Sequence, residues 1–311
     1  MTQPNYIKLA ELAERPEAEE KSVAYLQENM SRFLKRNERV LILFPRKDNV
    51  ACRILDRSIT GCGCVPVWMG EDERWMTMLK TAFTNKCSCI VGPPLTLLGL
   101  SKLAKQMQTP LSVKNVMMAG YPTTPWIVEG VRKNLDCMAW GCFDPGEGAV
   151  ISGFTCKQLD GIHIRADEYT VEIEDGSGKT LSEGEEGFVV LYPNEDPQLR
   201  FTVGDRGRLD TKPCSCGNPE PKLIDVDTVK TENEELSNLG ESLLYWSSIL
   251  DCRIEKTEYG MELELVVLPG EKLPKLPTMA KQVIRPFDPE KDVPFAHQNV
   301  LKNRYIRTNN H

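Results

Sequence analysis

Between residues 39 and 143, short apolar runs alternate with amphipathic segments of helical length, and this alternation restricts the fold more than any other feature. The apolar runs are RVLILFP (39–45), CVPVWM (64–69), CSCIVGPP (87–94), VKNVMMAG (113–120) and DCMAWGCF (136–143). Apolar residues recur at helical spacing between them, as in NVACRILDRSIT and LTLLGLSKLAKQM. Strands separated by helices of this length are typical of βαβ units. We therefore predict an α/β fold with a mainly parallel, Rossmann-like sheet and helices.

The pattern changes near residue 150. The segment GIHIRADEYTVEIEDGSGKTLSEGEEGFVVLYP (161–193) alternates apolar and polar residues between glycine-rich turns. Such alternation indicates antiparallel strands and hairpins, which we place at about 151–222. A helix at 235–249 between short strands then predicts a small α+β unit. The proline-rich tail after residue 269 is predicted to be irregular, with one helix near 278–283.

The length of 311 residues exceeds that of a usual single domain. We predict a larger domain at 1–225, which includes the antiparallel part, and a smaller α+β domain at 226–311. A leading helix is predicted at 17–36 because Val23, Leu26 and Met30 follow helical spacing.

Charge and apolar content exclude several classes of partner. The net charge is −7 and no basic patch is interleaved with aromatic residues, so nucleic acid is not expected as a partner. No run approaches eighteen apolar residues, and the acidic N-terminus lacks the apolar core of a signal peptide. We expect no membrane association and a cytoplasmic location. Eleven cysteines then indicate a reducing compartment, mostly buried thiols and one metal site.

The candidate metal ligands are Cys156, His163, Cys214 and Cys216. The last two lie in PCSCG, a knuckle bounded by proline and glycine, and Cys156 precedes His163 by seven residues. Three thiolates and one imidazole complete a closed tetrahedral zinc site, which is structural. The alternative is a set of unrelated thiols and a surface histidine, because C-x-C is a weaker signature than paired C-x-x-C knuckles.

Two further segments offer groups at strand ends. In RFTVGD, Asp205 follows an extended run and could accept hydrogen bonds from vicinal hydroxyls, or it could bond its own turn. In AWGCFDPGEG, Trp140 could stack on a base, and Asp144 or Glu147 could face a metal or phosphate. The alternative for this second segment is a core tryptophan and a solvated acidic loop. The sequence contains no P-loop, no G-x-G-x-x-G after a strand and no G-x-S-x-G elbow.

The order of these segments resembles the phenylacetate–CoA ligase branch of the adenylate-forming superfamily. The resemblance covers roughly residues 40–269 and is best over 161–217. There the sequence has a histidine-bearing strand, an E-I-x-D turn, a G-E-x-G turn, R-F-x-x-G-D and a C-x-C-G knuckle. Members of that family activate a carboxylic acid with ATP and pass the acyl-adenylate to coenzyme A. The resemblance thus implies AMP or ATP with Mg²⁺, coenzyme A and a structural Zn²⁺ as cofactors.

The resemblance also implies roles for single residues. Asp205 would hold the ribose hydroxyls, and Trp140 with Gly141 would stack on adenine. Gly120, Tyr121 and Pro122 would form the opposite wall of the nucleotide pocket. Asp144 stands where the family has a glutamate near Mg²⁺, and Lys302 is the one candidate for the catalytic lysine. A mobile C-terminal domain would follow a hinge near 225–227.

The sequence departs from the family at several points. The Ser/Thr/Gly-rich loop that grips the ATP phosphates has no counterpart before Val40. Phe143 and Asp144 replace a threonine–glutamate pair, and Leu223 or Ile224 occupies the place of an arginine before the hinge. With part of the first sheet missing, the leading helix would cap the exposed sheet edge.

Two functions remain open from the sequence. The one we favour is a degenerate, non-autonomous relative that binds a nucleotide or acyl-CoA as an accessory protein or subunit, with a protein partner or as a homo-oligomer. The alternative is an active acid–thiol ligase of the AMP-forming type, alone or with the phosphate loop supplied by a partner chain.

Overall fold

The computed structural model describes residues 5–6, 16–44, 50–69, 73–120, 123–143, 151–197, 199–228, 234–258, 260–270, 272–276 and 281–295. The helices are α1 (Pro16–Ser31), α2 (Val50–Gly61), α3 (Trp75–Thr84), α4 (Pro94–Gln106), α5 (Pro125–Leu135) and α6 (Glu234–Leu244). The strands are β1 (Asn5–Tyr6), β2 (Arg39–Ile42), β3 (Val65–Trp68), β4 (Cys89–Gly92), β5 (Asn115–Met118), β6 (Met138–Phe143), β7 (Gly153–Thr155), β8 (Ile162–Ile164), β9 (Tyr169–Glu174), β10 (Gly187–Pro193), β11 (Leu199–Asp210), β12 (Lys222–Thr228), β13 (Ile249–Thr257), β14 (Gly260–Val267) and β15 (Lys281–Pro286).

Five parallel strands form the first half of the main sheet in the order β3-β2-β4-β5-β6. Strands β4 and β5 are buried along their whole length, as expected for a sheet covered on both faces. Helices α4 and α5 each begin with a proline. Proline is tolerated in the first helical turn because an N–H there has no partner within the helix, so its absence costs nothing. The α/β fold with a mainly parallel sheet is therefore confirmed for this half.

Helices cover the two faces of this parallel sheet. On one face, α3, α4 and α5 pack on the strand residues that include Leu41, Ile90 and Val116. On the other face, α1 and α2 pack on the residues that alternate with these, including Val40 and Met117. The prediction that the leading helix caps the exposed sheet edge is wrong. Its apolar stripe is broad enough to cover a sheet face, and burial there removes more apolar surface from water than an edge contact could.

The sheet continues beyond β6 as antiparallel strands in the order β7-β8-β12-β11-β10-β9. A separate apolar cluster lies on this part, with Phe201, Val189 and Leu223 fully buried. The predicted antiparallel region is confirmed, since its period-2 alternation matches strands with one face buried.

The C-terminal unit consists of α6 and the three-stranded sheet β13-β14-β15. Helix α6 ends at Leu244, earlier than predicted, because Ile249 already begins β13. The predicted helix near 278–283 is wrong for residues 281–283, which lie in β15; residues 277–280 lie outside the described residues. Strand β15 pairs in parallel with β14, and this pairing overrides the local helical preference. Among the described helices, none is long and apolar enough to cross a membrane.

Candidate metal centre and adjoining cavity

Three strands bring the four candidate metal ligands together. Cys156 directly follows β7, His163 is the middle residue of β8, and Cys214 with Cys216 lies in the turn between β11 and β12. Phe154 pairs with His163 across β7 and β8, and Lys222 pairs with His163 across β12 and β8. The pairing therefore places a turn from each side of β8 next to the imidazole.

The distances within this cluster suit a tetrahedral ion. The four ligand atoms all lie within 4.8 Å of one another. The Sγ atoms of Cys156 and Cys214 are 3.7 Å apart, and the Sγ of Cys216 lies 3.5 Å from the Nε2 of His163. Around tetrahedral zinc, bonds of about 2.3 Å to sulfur and about 2.05 Å to nitrogen place two sulfurs about 3.8 Å apart and a sulfur and nitrogen about 3.6 Å apart. The donor set Cys₃His fits a closed zinc site with no open position.

The surroundings of His163 prepare its Nε2 to be a ligand. Its Nδ1 lies 3.3 Å from the main-chain oxygen of Glu220, and a proton on Nδ1 donates to that carbonyl. The other ring nitrogen then carries the lone pair that a metal needs. Burial lowers the pKa of His163, so the imidazole is neutral at neutral pH.

The thiols differ in their readiness to ionise. Burial raises the pKa of Cys156 to about 11. Burial also acts to raise the pKa of Cys216, but the N–H of Asn218, which donates to its Sγ over 3.4 Å, and the neighbouring thiols bring it below its usual value. A bound cation would favour the thiolate of both residues.

A cavity of about 740 Å³ lies beside the metal centre, between α5 and the β7-β8-β12 part of the sheet. It extends along α5 from Pro125 to Asp136, a length of about 16 Å at the rise of an α-helix. Its lining residues are Thr123, Pro125, Val128, Glu129, Arg132, Lys133, Asp136, Cys137, Gly141, Thr155, Leu159, Asp160, Gly161, Ile162, Leu223, Ile224, Asp225 and Val226. The loop between Cys156 and His163 therefore forms one wall of the cavity, while its two ends are candidate metal ligands.

Gly141 keeps one end of this cavity open. A Cβ at this position would lie 3.1 Å from the Cγ2 of Thr155 and 3.5 Å from the Oγ1 of Thr123. The N–H of Gly141 donates to the Oγ1 of Thr155 over 2.7 Å, which joins β6 to β7 beside the cavity. A side chain at Gly141 would reduce the space that the two threonines border.

Lys222 holds the cavity wall from the other side. Its ammonium group is almost fully buried and lies 2.8 Å from the Oδ2 of Asp160 and 3.1 Å from the Oδ2 of Asp210. The side-chain hydrogen bond to Asp160 raises the pKa of Lys222 above its usual range, against the effect of burial. The ion pair thus fixes the 156–163 loop to β12.

The structure places Trp140 on the opposite face of β6 from the cavity, since successive side chains of a strand alternate. Its ring stacks on Phe33 with centroids 4.7 Å apart and an interplanar angle of 13°, and its Nε1 donates to the Oδ1 of Asn115 over 3.1 Å. Phe33 follows α1, and no local signal in the sequence pairs it with Trp140. The predicted stacking of Trp140 on a base stays a prediction, with one face of the ring already covered.

The remaining predicted nucleotide residues are spread over two strands. Gly120 follows β5 with a φ of +81°, a conformation that favours glycine. Asp205 is 6% exposed, pairs with Thr228 and lies in β11, beyond the cavity wall formed by β12. The structure therefore brings Gly141, but not Asp205, to the cavity. Five candidate site residues lie outside the described residues: Tyr121, Pro122, Asp144, Glu147 and Lys302.

Two cations that line the cavity, Arg132 and Lys133, are not predicted as site residues by any pattern in the sequence. Both lie in the last turn of α5, where a positive charge interacts favourably with the helix dipole. That local role is enough to explain their presence, so the sequence alone gave no reason to assign them to a site.

The sequence matches no protein-family model and no curated protein. Solved structures with the same fold are adenylate-forming enzymes. A 2-hydroxyisobutyryl-CoA ligase in the postadenylation state, in complex with R3-HIB-AMP, superposes with a TM-score of 0.64 at 14% identity, over 81% of this chain and 59% of that one. A benzoate CoA ligase from Burkholderia xenovorans has a TM-score of 0.57 at 11% identity, over 85% and 62%. O-succinylbenzoate coenzyme A synthetase from Bacillus subtilis, in complex with AMP, has a TM-score of 0.52 at 14% identity, over 80% and 55%.

These likenesses confirm the predicted fold, that of the adenylate-forming CoA ligases. The chain spans about 59% of the length of the 2-hydroxyisobutyryl-CoA ligase. The particular phenylacetate–CoA branch stays a prediction.

Proposed function

We propose that this chain binds an adenosine nucleotide or an acyl-CoA in the cavity beside α5 and acts as an accessory protein rather than an autonomous ligase. The observation that carries the proposal is a cavity of about 740 Å³ that reaches Gly141 in a fold whose solved examples include complexes with AMP and acyl-AMP. Its volume lies within the range of about 300–1,000 Å³ that small-molecule sites occupy.

The lining of the cavity combines apolar side chains, two cations and the carboxylates of Glu129, Asp136, Asp160 and Asp225. Asp160 and Asp225 form ion pairs with Lys222 and Arg208, so Arg132 and Lys133 are the groups that would meet the anionic part of a ligand. Leu159, Ile162 and Ile224 line the cavity, which Gly141 borders at one end, with apolar side chains. Arg132 and Lys133 lie at the other end and can pair with phosphate groups. The base or acyl group would therefore lie toward Gly141, with the phosphates toward the C-terminal end of α5.

Two described residues support an accessory role. Phe143 stands where the resemblance implies a threonine, and it is buried in an apolar cluster. Leu223 or Ile224 stands at the place of the arginine before the hinge, and both side chains are apolar. Neither can donate a hydrogen bond to a phosphate, and adenylation depends on positioning and electrostatic stabilisation of the triphosphate.

The same proposal assigns structural Zn²⁺ to Cys156, His163, Cys214 and Cys216. All four ligand positions come from the protein, so a tetrahedral ion there has no place for a substrate. The ion would fix both ends of the 156–163 loop and so hold the cavity wall in place. Metal analysis of the purified protein should give about one equivalent of zinc per chain.

The ligand is tested by thermal shift and calorimetry with AMP, ATP–Mg²⁺ and coenzyme A. We expect at least one of them to stabilise the protein, and Ile224→Trp, which fills the cavity, to abolish the effect. Arg132→Ala with Lys133→Ala should weaken binding about tenfold or more, while Lys80→Ala on the surface of α3 should not. If none of the three compounds binds, or if Ile224→Trp binds as well as the wild type, the cavity is not the site.

An active ligase is the second candidate, because the three structural relatives described above are ligases or synthetases. Pyrophosphate release in the presence of ATP–Mg²⁺ and a panel of carboxylic acids distinguishes the two. The accessory role predicts no release by the purified chain above the background of Ile224→Trp. Release that depends on one acid and disappears in Ile224→Trp would establish the ligase instead.

A further inference from the structure

We propose that the C-terminal unit, residues 234–295, is permanently docked on the α3–α4 face of the parallel sheet, so that the chain works with its two units in a single arrangement. The resemblance to adenylate-forming enzymes implies a mobile C-terminal domain, and the contacts of this chain point the other way. The inference goes beyond the proposed ligand and does not depend on it.

The apolar core runs without interruption from the parallel sheet into the C-terminal unit. Residues of α4 such as Leu97 and Leu100 belong to the same buried cluster as Ile249, Cys252 and Leu265 of the C-terminal sheet. Each of these five side chains is at most 1% exposed. A rotation of the unit would expose this surface to water, which the hydrophobic effect opposes.

Lys102 fastens the C-terminal end of α6 to α4. Its side chain is nine-tenths buried, and its ammonium group donates to the main-chain oxygens of Leu244, Trp246 (3.0 Å) and Ile249 (2.8 Å). These bonds use all three N–H groups of the lysine. They also satisfy carbonyls at a helix C-terminus, where the helix dipole favours a cation.

The segment after β15, residues 287–295, forms a second contact between the C-terminal unit and the N-terminus of α3. That helix has no side-chain cap, and the N–H of Trp75 donates instead to the main-chain oxygen of Asp292 over 3.1 Å. The Nη1 of Arg74 donates to the main-chain oxygen of Glu290 over 2.9 Å. Asp292 is in turn held by Arg285 of β15, with Nη1 and Oδ1 2.6 Å apart.

A third contact lies at the end of α4, where the Nε2 of Gln106 donates to the main-chain oxygen of Pro269 over 2.9 Å. The three contacts lie at the start of α3, within α4 and at its last residue. Three separated points determine the orientation of one body on another. Any swing of the C-terminal unit must therefore break all three contacts and the shared core together.

The test uses Cys252, which is fully buried at this junction and close enough to Lys102 for the ammonium to act on the pKa of its thiol. Cys89, which is fully buried in β4, serves as the internal reference. The wild-type protein is treated with iodoacetamide at pH 7, where Lys102 is protonated, and the labelling of both residues is followed by mass spectrometry, with and without ATP–Mg²⁺ and coenzyme A. Permanent docking predicts that Cys252 is labelled within about threefold of the rate of Cys89 under every condition.

A matched pair of variants tests the hydrogen bonds between Lys102 and the C-terminal unit. Lys102→Glu should raise the labelling rate of Cys252 at least tenfold relative to Cys89, whereas Lys105→Glu, exposed one turn along α4, should leave the ratio unchanged. Should Lys102→Glu fail to fold, the wild-type ratio alone decides. Labelling of wild-type Cys252 more than about threefold faster than Cys89, acceleration of that labelling by a ligand, or an unchanged ratio in folded Lys102→Glu would overturn the proposal.

Discussion

Removing the proposed zinc ion from Cys156, His163, Cys214 and Cys216 should lower the free energy of unfolding by about 4 kcal/mol. Two pairs of ligand atoms already stand at tetrahedral spacing, with Sγ–Sγ 3.7 Å and Sγ–Nε2 3.5 Å, and all four atoms lie within 4.8 Å of one another, so binding requires shifts of about 1 Å or less between ligand atoms. An ion present at about 1,000 times its Kd, bound by the folded state alone, contributes about 4 kcal/mol.

The corresponding change in melting temperature follows from the size of the chain. Unfolding entropy is about 2.1 cal/mol/K per residue, so for 311 residues a loss of about 4 kcal/mol lowers the Tm by about 6 °C. Loosening should be local: amide exchange should rise in residues 153–164 and 211–221, which carry the ligands, and not in the buried strand β5.

The assay is a thermal melt followed by circular dichroism, before and after treatment with a strong chelator, with metal content measured on each sample. Cys216→Ser should reproduce the chelated melt. Cys137→Ser, a half-buried cysteine outside the cluster, should keep both the metal and the original Tm. A structural role for the ion is refuted if Cys216→Ser loses its metal and yet has the same Tm as Cys137→Ser. The zinc assignment is refuted if protein expressed in zinc-supplemented medium contains less than about 0.1 equivalents of metal.

Three further predictions concern single positions. Gly161→Ala should lower the free energy of unfolding by about 2–4 kcal/mol, because φ is +91° and the new Cβ would lie 2.8 Å from a main-chain oxygen of β12. The control, Gly184→Ala, has a φ of +81° and open space around the new Cβ, so it should cost only about 1 kcal/mol. Urea titrations measure both. Phe33→Leu should shift the tryptophan emission to longer wavelength and lose about 0.5–1.5 kcal/mol beyond the change in buried area, since it removes the stack on Trp140; an unchanged spectrum would contradict that stack. Burial lowers the pKa of Lys102 to about 8, below its unfolded value of about 10.5, so the unfolded state binds more protons between these values and stability rises with pH there. Relative to Lys102→Met, the wild type should therefore gain about 2 kcal/mol between pH 7 and pH 9.5, and a constant difference would show that the ammonium is not desolvated.

The sequence predicted those features whose signal is local. The parallel and antiparallel halves differ in the spacing of their apolar residues, and this spacing can be read from the local sequence without knowing which elements pack together. The Cys₃His set was found because its members are rare residue types in turn-forming surroundings. The β15 strand was missed because Val283 and Ile284 pair with a strand about twenty residues away. The burial of Lys102 could not be predicted from the sequence either, because its three hydrogen-bond acceptors lie more than 140 residues further along the chain.

The 156–163 loop connects the metal centre to the cavity, and its geometry explains why the two belong together. Its ends, Cys156 and His163, are two of the four candidate metal ligands, and its centre is held by the ion pair of Asp160 with buried Lys222. Gly161 adopts a positive φ that brings the loop within van der Waals contact of β12, closer than any side chain would allow. A loop restrained at both ends and in the middle keeps one conformation without a ligand, so the cavity is formed before anything binds, and binding need not supply the free energy of ordering its wall.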